Sequence, residues 1–157
     1  MTTPATPLRL QVLERVVAIL KDITAGDGYF FTPGEVIKGY CHPLEIKSFP
    51  HYAVSYDSGG TISVEATDYF IEDFYINVKG HVKPRDGDPV TAMERALRDV
   101  RVAIDTDQRP AAGAGSLNAL NVLAFWEEPP TTDNGYLATE GMGFFEQRIK
   151  IQVHGAW

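Results

Sequence analysis

The residues able to do chemistry in this chain are few, and their spacing suits it poorly. Its soft ligands are Cys41, His42, His51, His81 and His154. A zinc site needs ligands at close, repeated spacing, and here there is neither a second cysteine nor a histidine pair on one helical turn. Cys41 and His42 are adjacent, yet neighbours on an extended chain point to opposite sides, so they cannot face one ion or act as nucleophile and base. They read as a loop pair. Gly113-Ala114-Gly115 follows a predicted helix rather than a strand, and Asn118 stands where a dinucleotide fingerprint needs its third glycine. Ser116 lacks the flanking pattern of a nucleophile elbow and reads as a residue that bends its loop.

Close carboxylates occur at Glu72-Asp73, at Asp86 and Asp88, and at Asp105 and Asp107, the residue type used for acid-base or calcium work. Each has a local duty instead. Asp88 caps a predicted helix and Asp86 sits in a Pro-Arg-Asp-Gly turn. Asp105 and Asp107 fall at a helix C-terminus, where negative charge is unfavourable and is expected to stay in solvent. Glu72-Asp73 is expected to be a solvated turn before a strand. The aromatics Tyr69, Phe70, Phe74, Tyr75, Phe125, Trp126 and Trp157 could line a pocket or fill a core, and those on an inward strand face are expected in the core. Trp126 adjoins a turn-rich stretch and Trp157 ends the sequence, so exposure of either would mark a partner surface. No catalytic, cofactor-binding or metal-binding residue is assigned, and the expected role is assembly, not enzymatic.

The elements that carry these residues follow from periodicity. Thr6-Pro7 predicts a helix start, and Leu10, Leu13, Val16, Val17, Leu20 and Ile23 form its apolar stripe up to Gly26-Asp27-Gly28. Tyr29–Phe31, Glu35–Tyr40 and Phe49–Tyr56 are candidate strands, Ser58-Gly59-Gly60 a turn, and Thr61–Ala66 the strand beyond it. In Phe74–Val82, Phe74, Ile76, Val78 and Val82 share a core face, while Tyr75, Asn77, Lys79 and His81 share a wet or interfacial one. Asp88-Pro89 starts a second helix with Met93, Ala96, Leu97, Val100 and Ile104 buried and a Glu94–Arg98 pair on its surface. Residues 107–118 read as a long loop, Val122–Trp126 as a strand, Glu127–Gly135 as a turn-rich excursion, and Tyr136–Thr139 as a segment that pairs back. The closing strand alternates Phe145, Ile149, Ile151 and Val153 with polar residues, and Gln147 breaks its apolar face. The expected fold is a single α+β domain over residues 1–157, with a flexible segment at 1–5. Its sheet is mainly antiparallel, with two amphipathic helices packed on one face.

The totals agree. The 157 residues are 44% hydrophobic and 22% charged, which suits one globular domain burying about 70% of its unfolded surface. A net charge of −7 disfavours gripping of nucleic acid. A lone cysteine gives no internal disulfide and fits a reducing compartment. No leader or membrane span is read from the sequence, so a soluble intracellular protein is expected.

Taken in order, LRLQVLERVVAIL, SFPHYAVSYD, FYINVKGHV, DPVTAMERALRDVRVAI and FFEQRIKIQVHG resemble the tail terminator, or tail completion, proteins of long-tailed bacteriophages. The resemblance implies a subunit of a homohexameric ring at the head-proximal end of the tail tube, which stops tube growth and presents a surface for the head. Implied partners are further copies of the chain, the tail tube protein and a head-completion or connector protein. DNA would pass through the electronegative lumen without specific binding. The implied location is the virion tail, after a soluble stage in the host cytoplasm. Arg109, Trp126, Glu127, Asn134 and Trp157 are the expected interface residues, chosen by loop position and chemistry. The competing readings are a head-tail joining or neck protein, a tube subunit, and a cytosolic small-molecule-binding domain or enzyme.

Overall fold

A computed structural model describes residues 3–132 and 140–156, with only the backbone of Ala66 and Ala156. The expected strand at Tyr136–Thr139, and Asn134 and Trp157, lie outside the described residues. Helix α1 (Leu8–Lys21) buries Val12, Leu13, Val16, Ile19 and Leu20. Its N-cap is Pro7 rather than Thr6, and no side chain caps it. Pro7 keeps an extended ψ of 138°, so its carbonyl takes the Gln11 N–H while the Gln11 side-chain amide donates to the Thr6 carbonyl. Helix α2 (Pro89–Asp107) begins as expected, with the Asp88 carboxylate accepting from Val90 N–H and proline opening the first turn.

The strands are β1 (Glu35–Lys38), β2 (His51–Ala66), β3 (Tyr69–Val82), β4 (Val122–Trp126), β5 (Thr131–Thr132) and β6 (Gly143–Ala156). They form one mixed sheet in the order β1-β2-β3-β6-β4, with β5 also on β6. Only β1 against β2 is parallel among these pairs. Both helices cover one face, where Tyr52, Val54, Phe74, Ile76, Val78, Phe145, Ile149 and Ile151 join the helical stripes in a single core. The α+β expectation holds, because two amphipathic stripes and one alternating sheet face close a core in two layers.

Three local expectations are corrected. Tyr29–Phe31 is not a strand; Tyr29 makes one isolated bridge to Ala25, and the backbone N–H groups of Phe30 and Phe31 are taken by Asp99. Ser58-Gly59-Gly60 is not a turn. β2 passes straight through it, advancing from Asp57 to Thr61 while β3 moves only from Tyr75 to Asp73. This bulge needs glycine: Gly59 and Gly60 have φ of +105° and +114°, and a Cβ on Gly60 would strike the Asp73 carbonyl. The hairpin reverses instead at Thr67-Asp68, so Glu72 and Asp73 lie within β3. Finally, the long loop starts after Asp107 and is folded, with a 3-10 turn at Pro110–Ala112 and Ser116 Oγ bridging the Gly113 carbonyl and Ala119 N–H.

Candidate assembly surfaces

The sheet has two outer edges. β1 pairs with β2 only along His51–Val54, so Ser55–Ala66 forms an outer edge beyond it. Along this edge Tyr56, Ile62 and Val64 are exposed, the last at 61%. Beside this edge Arg9, near the start of α1, stacks over Tyr56 and Phe74 and pairs with Glu72. Residues 57–73 hold Asp57, Glu65, Asp68, Glu72 and Asp73 and no lysine or arginine. Asp57 pairs with Arg148 and Asp73 with Lys150, which leaves Glu65 and Asp68 to set the negative charge of the hairpin end.

The opposite edge is β4. Leu123 and Phe125 are each 47% exposed, whereas Trp126 packs half-buried against the core beneath the Arg101 guanidinium. Strand alternation explains the swap: Val122, Ala124 and Trp126 face the helices, and Phe125 faces away. The Gln108 side chain closes part of this edge by accepting from Ala124 N–H at 2.9 Å. Between β4 and β5, Glu127 is exposed and the Glu128 carbonyl accepts from Gln147 Nε2. Gln147 is fully buried and also meets Arg101 and the Arg148 carbonyl, so the polar break in the closing strand fastens this linker to β6. Arg109 is exposed at the entry to the 3-10 turn. Arg109, Trp126 and Glu127 thus border one side of the sheet, but Trp126 is committed to the core, and Phe125 is the outward aromatic that the sequence pattern did not single out.

Two buried aspartates hold the loops that frame these surfaces. Asp99, fully buried, accepts from Phe30 and Phe31 N–H groups at 2.9 to 3.0 Å. Its neighbour Arg98 donates to the Gly28 carbonyl and pairs with Asp99, in place of the expected pair with Glu94. Asp107 is not in solvent: both its oxygens meet Arg15, at 2.5 and 2.9 Å, and one also accepts from Leu117 N–H at 2.8 Å. Burial pushes the Asp107 pKa up, but the Arg15 hydrogen bonds, the Leu117 N–H and the Arg15 charge outweigh it and hold the carboxyl below its ordinary value.

The sheet face away from the helices is polar. Arg148 lies 3.7 Å from the Tyr75 ring centroid, donates to the Ser58 carbonyl and pairs with Asp57, while Asn77 donates to Glu146 and Gln152 to Asp73. At the β1 end of this face, His51 and His81 are opposite each other on β2 and β3 and are 1% and 4% exposed. His81 was expected on a wet or interfacial face. Burial lowers the pKa of both, that of His81 to about 4. Cys41 and His42 do lie outside the strands, where His42 Nδ1 accepts from Leu44 N–H.

Among the described residues, no cluster of three or more histidine, cysteine or carboxylate side chains could hold a metal, and no helix is long and apolar enough to cross a membrane. A hollow of about 680 Å³ is an open groove along Thr6, Leu8, Phe70, Leu120 and His154. Comparison with known proteins adds no relative: no protein-family model matches the chain, and no curated protein is significantly similar to it.

Proposed function

We propose that the protein is a bacteriophage tail terminator, a subunit that joins copies of itself into a ring on the head-proximal end of the tail tube, ends tube growth and offers its far surface to the head. The observation that carries this reading is the pair of outward sheet edges. Strand direction alternates along β2, β3, β6 and β4, so the β2 edge of one subunit would meet the β4 edge of the next antiparallel. Such a contact is head-to-tail, and it closes a ring when the rotation between neighbours divides a full turn. Main-chain pairing would supply register, and Tyr56, Ile62, Val64, Leu123 and Phe125 would supply buried apolar area. The acidic balance of the chain suits a lumen that lets DNA slide without sticking. The ring's other partners would be the tube protein on one side and a head-completion protein on the other.

Electron microscopy of particles made without this protein tests the reading. Overlong tails without heads are the expected defect. Headless tails of normal length would overturn termination in favour of head-tail joining, and tails that fail to form at all would point to a tube subunit. The 680 Å³ hollow is an open groove rather than an enclosed site, which does not favour the small-molecule reading there.

A further inference from the structure

The polar sheet face carries a strap. After β1, residues 39–50 turn back across the end of that face before entering β2. Gly39 N–H bonds to the Val54 carbonyl, and Gly34 N–H to the Pro50 carbonyl, pinning both ends. Tyr40 lies over the Lys79 ammonium at 5.4 Å, which places the strap on the side of the sheet opposite the helices. Ile46 is buried although it takes no part in the helix-side core. His51 directly follows the strap and faces His81 on β3, with ring centroids 6.3 Å apart and His81 also 4.9 Å from the Phe144 ring. Among the described residues, none of their four ring nitrogens has a hydrogen-bond partner.

Buried imidazoles without partners are tolerable only while neutral, because each proton brought in would place an unsolvated charge beside a second imidazole. We propose that His51 and His81 form an acid-sensitive latch, whose protonation drives the 39–50 strap off the sheet and bares this end of the polar face. The surrounding charges favour that outcome. Lys79 on β3 repels a charged His81, and each imidazolium repels the other. From β1, Glu35 Oε2 is 3.9 Å from His51 Nε2, but its half-exposed carboxylate gives His51 a partial offset that burial outweighs. Glu146 on β6 is engaged by Asn77. The strap itself brings Tyr40, Cys41, His42, Glu45 and Lys47, of which His42 is exposed and already accepts the Leu44 N–H.

The sign follows from linkage. A group whose pKa is depressed in the closed form takes up its proton preferentially in the open form, so acid favours opening between the free histidine value and the closed one. With His81 near 4 when closed and about 6.5 when free, opening at pH 4.5 is favoured roughly 60-fold over neutral pH.

Hydrogen exchange read by mass spectrometry on the whole protein, corrected for intrinsic rates, tests this between pH 7 and 4.5. The expected result is a loss of protection of tens of fold in peptides covering 39–50, with β3 and β6 unchanged, and its absence in His81→Leu. Should that variant not fold, His51→Leu and a direct NMR titration of the two imidazoles serve the same purpose. Acid-independent protection of the strap, uniform loss across the whole sheet, or an unchanged acid response in the histidine variants would each overturn the latch.

Discussion

Removing the Asp107 carboxylate gives a sharp stability test, because the sequence alone places that residue harmlessly at a helix end. Asp107→Ala leaves Arg15 without its bidentate partner and Leu117 N–H, in a fully buried residue, without an acceptor. Breaking a buried ion pair from one side costs about 3–5 kcal/mol, and an orphaned buried donor about 1–3 kcal/mol. The Arg15 side chain is 28% exposed and can partly rehydrate, which trims the first figure and brings the expected total to about 3–4 kcal/mol. Asp107→Asn keeps an acceptor for Leu117 and should lose about half as much. Urea unfolding at pH 7, followed by circular dichroism, reads both, with Asp105→Ala as an exposed control expected within about 0.5 kcal/mol of the parent. The pH dependence has a defined sign. Because the folded pKa lies below the ordinary value, the Asp107 contribution is present above the unfolded carboxyl pKa and fades as pH falls through the folded one. Asp107→Asn should therefore flatten the acid limb of the stability profile. A loss under about 1 kcal/mol for Asp107→Ala at neutral pH would refute the assignment of this carboxylate as the anchor of the 108–121 segment.

The remaining predictions address the second helix, the sheet and its edge. Asp88→Ala removes the acceptor for Val90 N–H and should cost about 1 kcal/mol in the same unfolding assay, with Asp88→Asn close to neutral. Gly80→Ala would drive a methyl group into the buried Phe145 ring and should lower stability by about 1–3 kcal/mol; pairing it with Phe145→Leu should recover part of that loss. Ile62→Lys with Val64→Lys changes exposed side chains, so the unfolding midpoint should move little while self-association on tail tubes, seen by electron microscopy, is lost. Full retention of ring assembly in that double variant would rule out the β2 edge as a contact.

Much of the fold was legible because its signals are local. The second helix announced itself by Asp88-Pro89 and a stripe from Met93 to Ile104, all of which is buried. Phe74–Val82 and the closing strand showed their core faces by period-two alternation, and Val122–Trp126 was bounded correctly. What local patterns cannot carry is the identity of a residue's distant partner. Asp107 read as a solvated helix end because its partner Arg15 is 92 residues away, and Asp99 drew no notice although it fastens a loop 69 residues away.

The same division separates the surface from the core. Composition and alternation fixed that one sheet face must be covered by helices, since no other arrangement hides both apolar stripes. Which residues remain outside depended on register, and a one-residue step exchanges Trp126 for Phe125. Gly59-Gly60 is compatible with either a turn or a bulge, and only pairing with β3 decided for the bulge, extending β2 into the long edge on which the assembly reading rests. His51 and His81, 30 positions apart, became a buried facing pair only when the β2–β3 hairpin set them opposite each other. The sequence thus determined the layers by local periodicity, while the tertiary structure decided edges, buried charges and the histidine pair, because each of those depends on which distant strand or loop arrives as its neighbour.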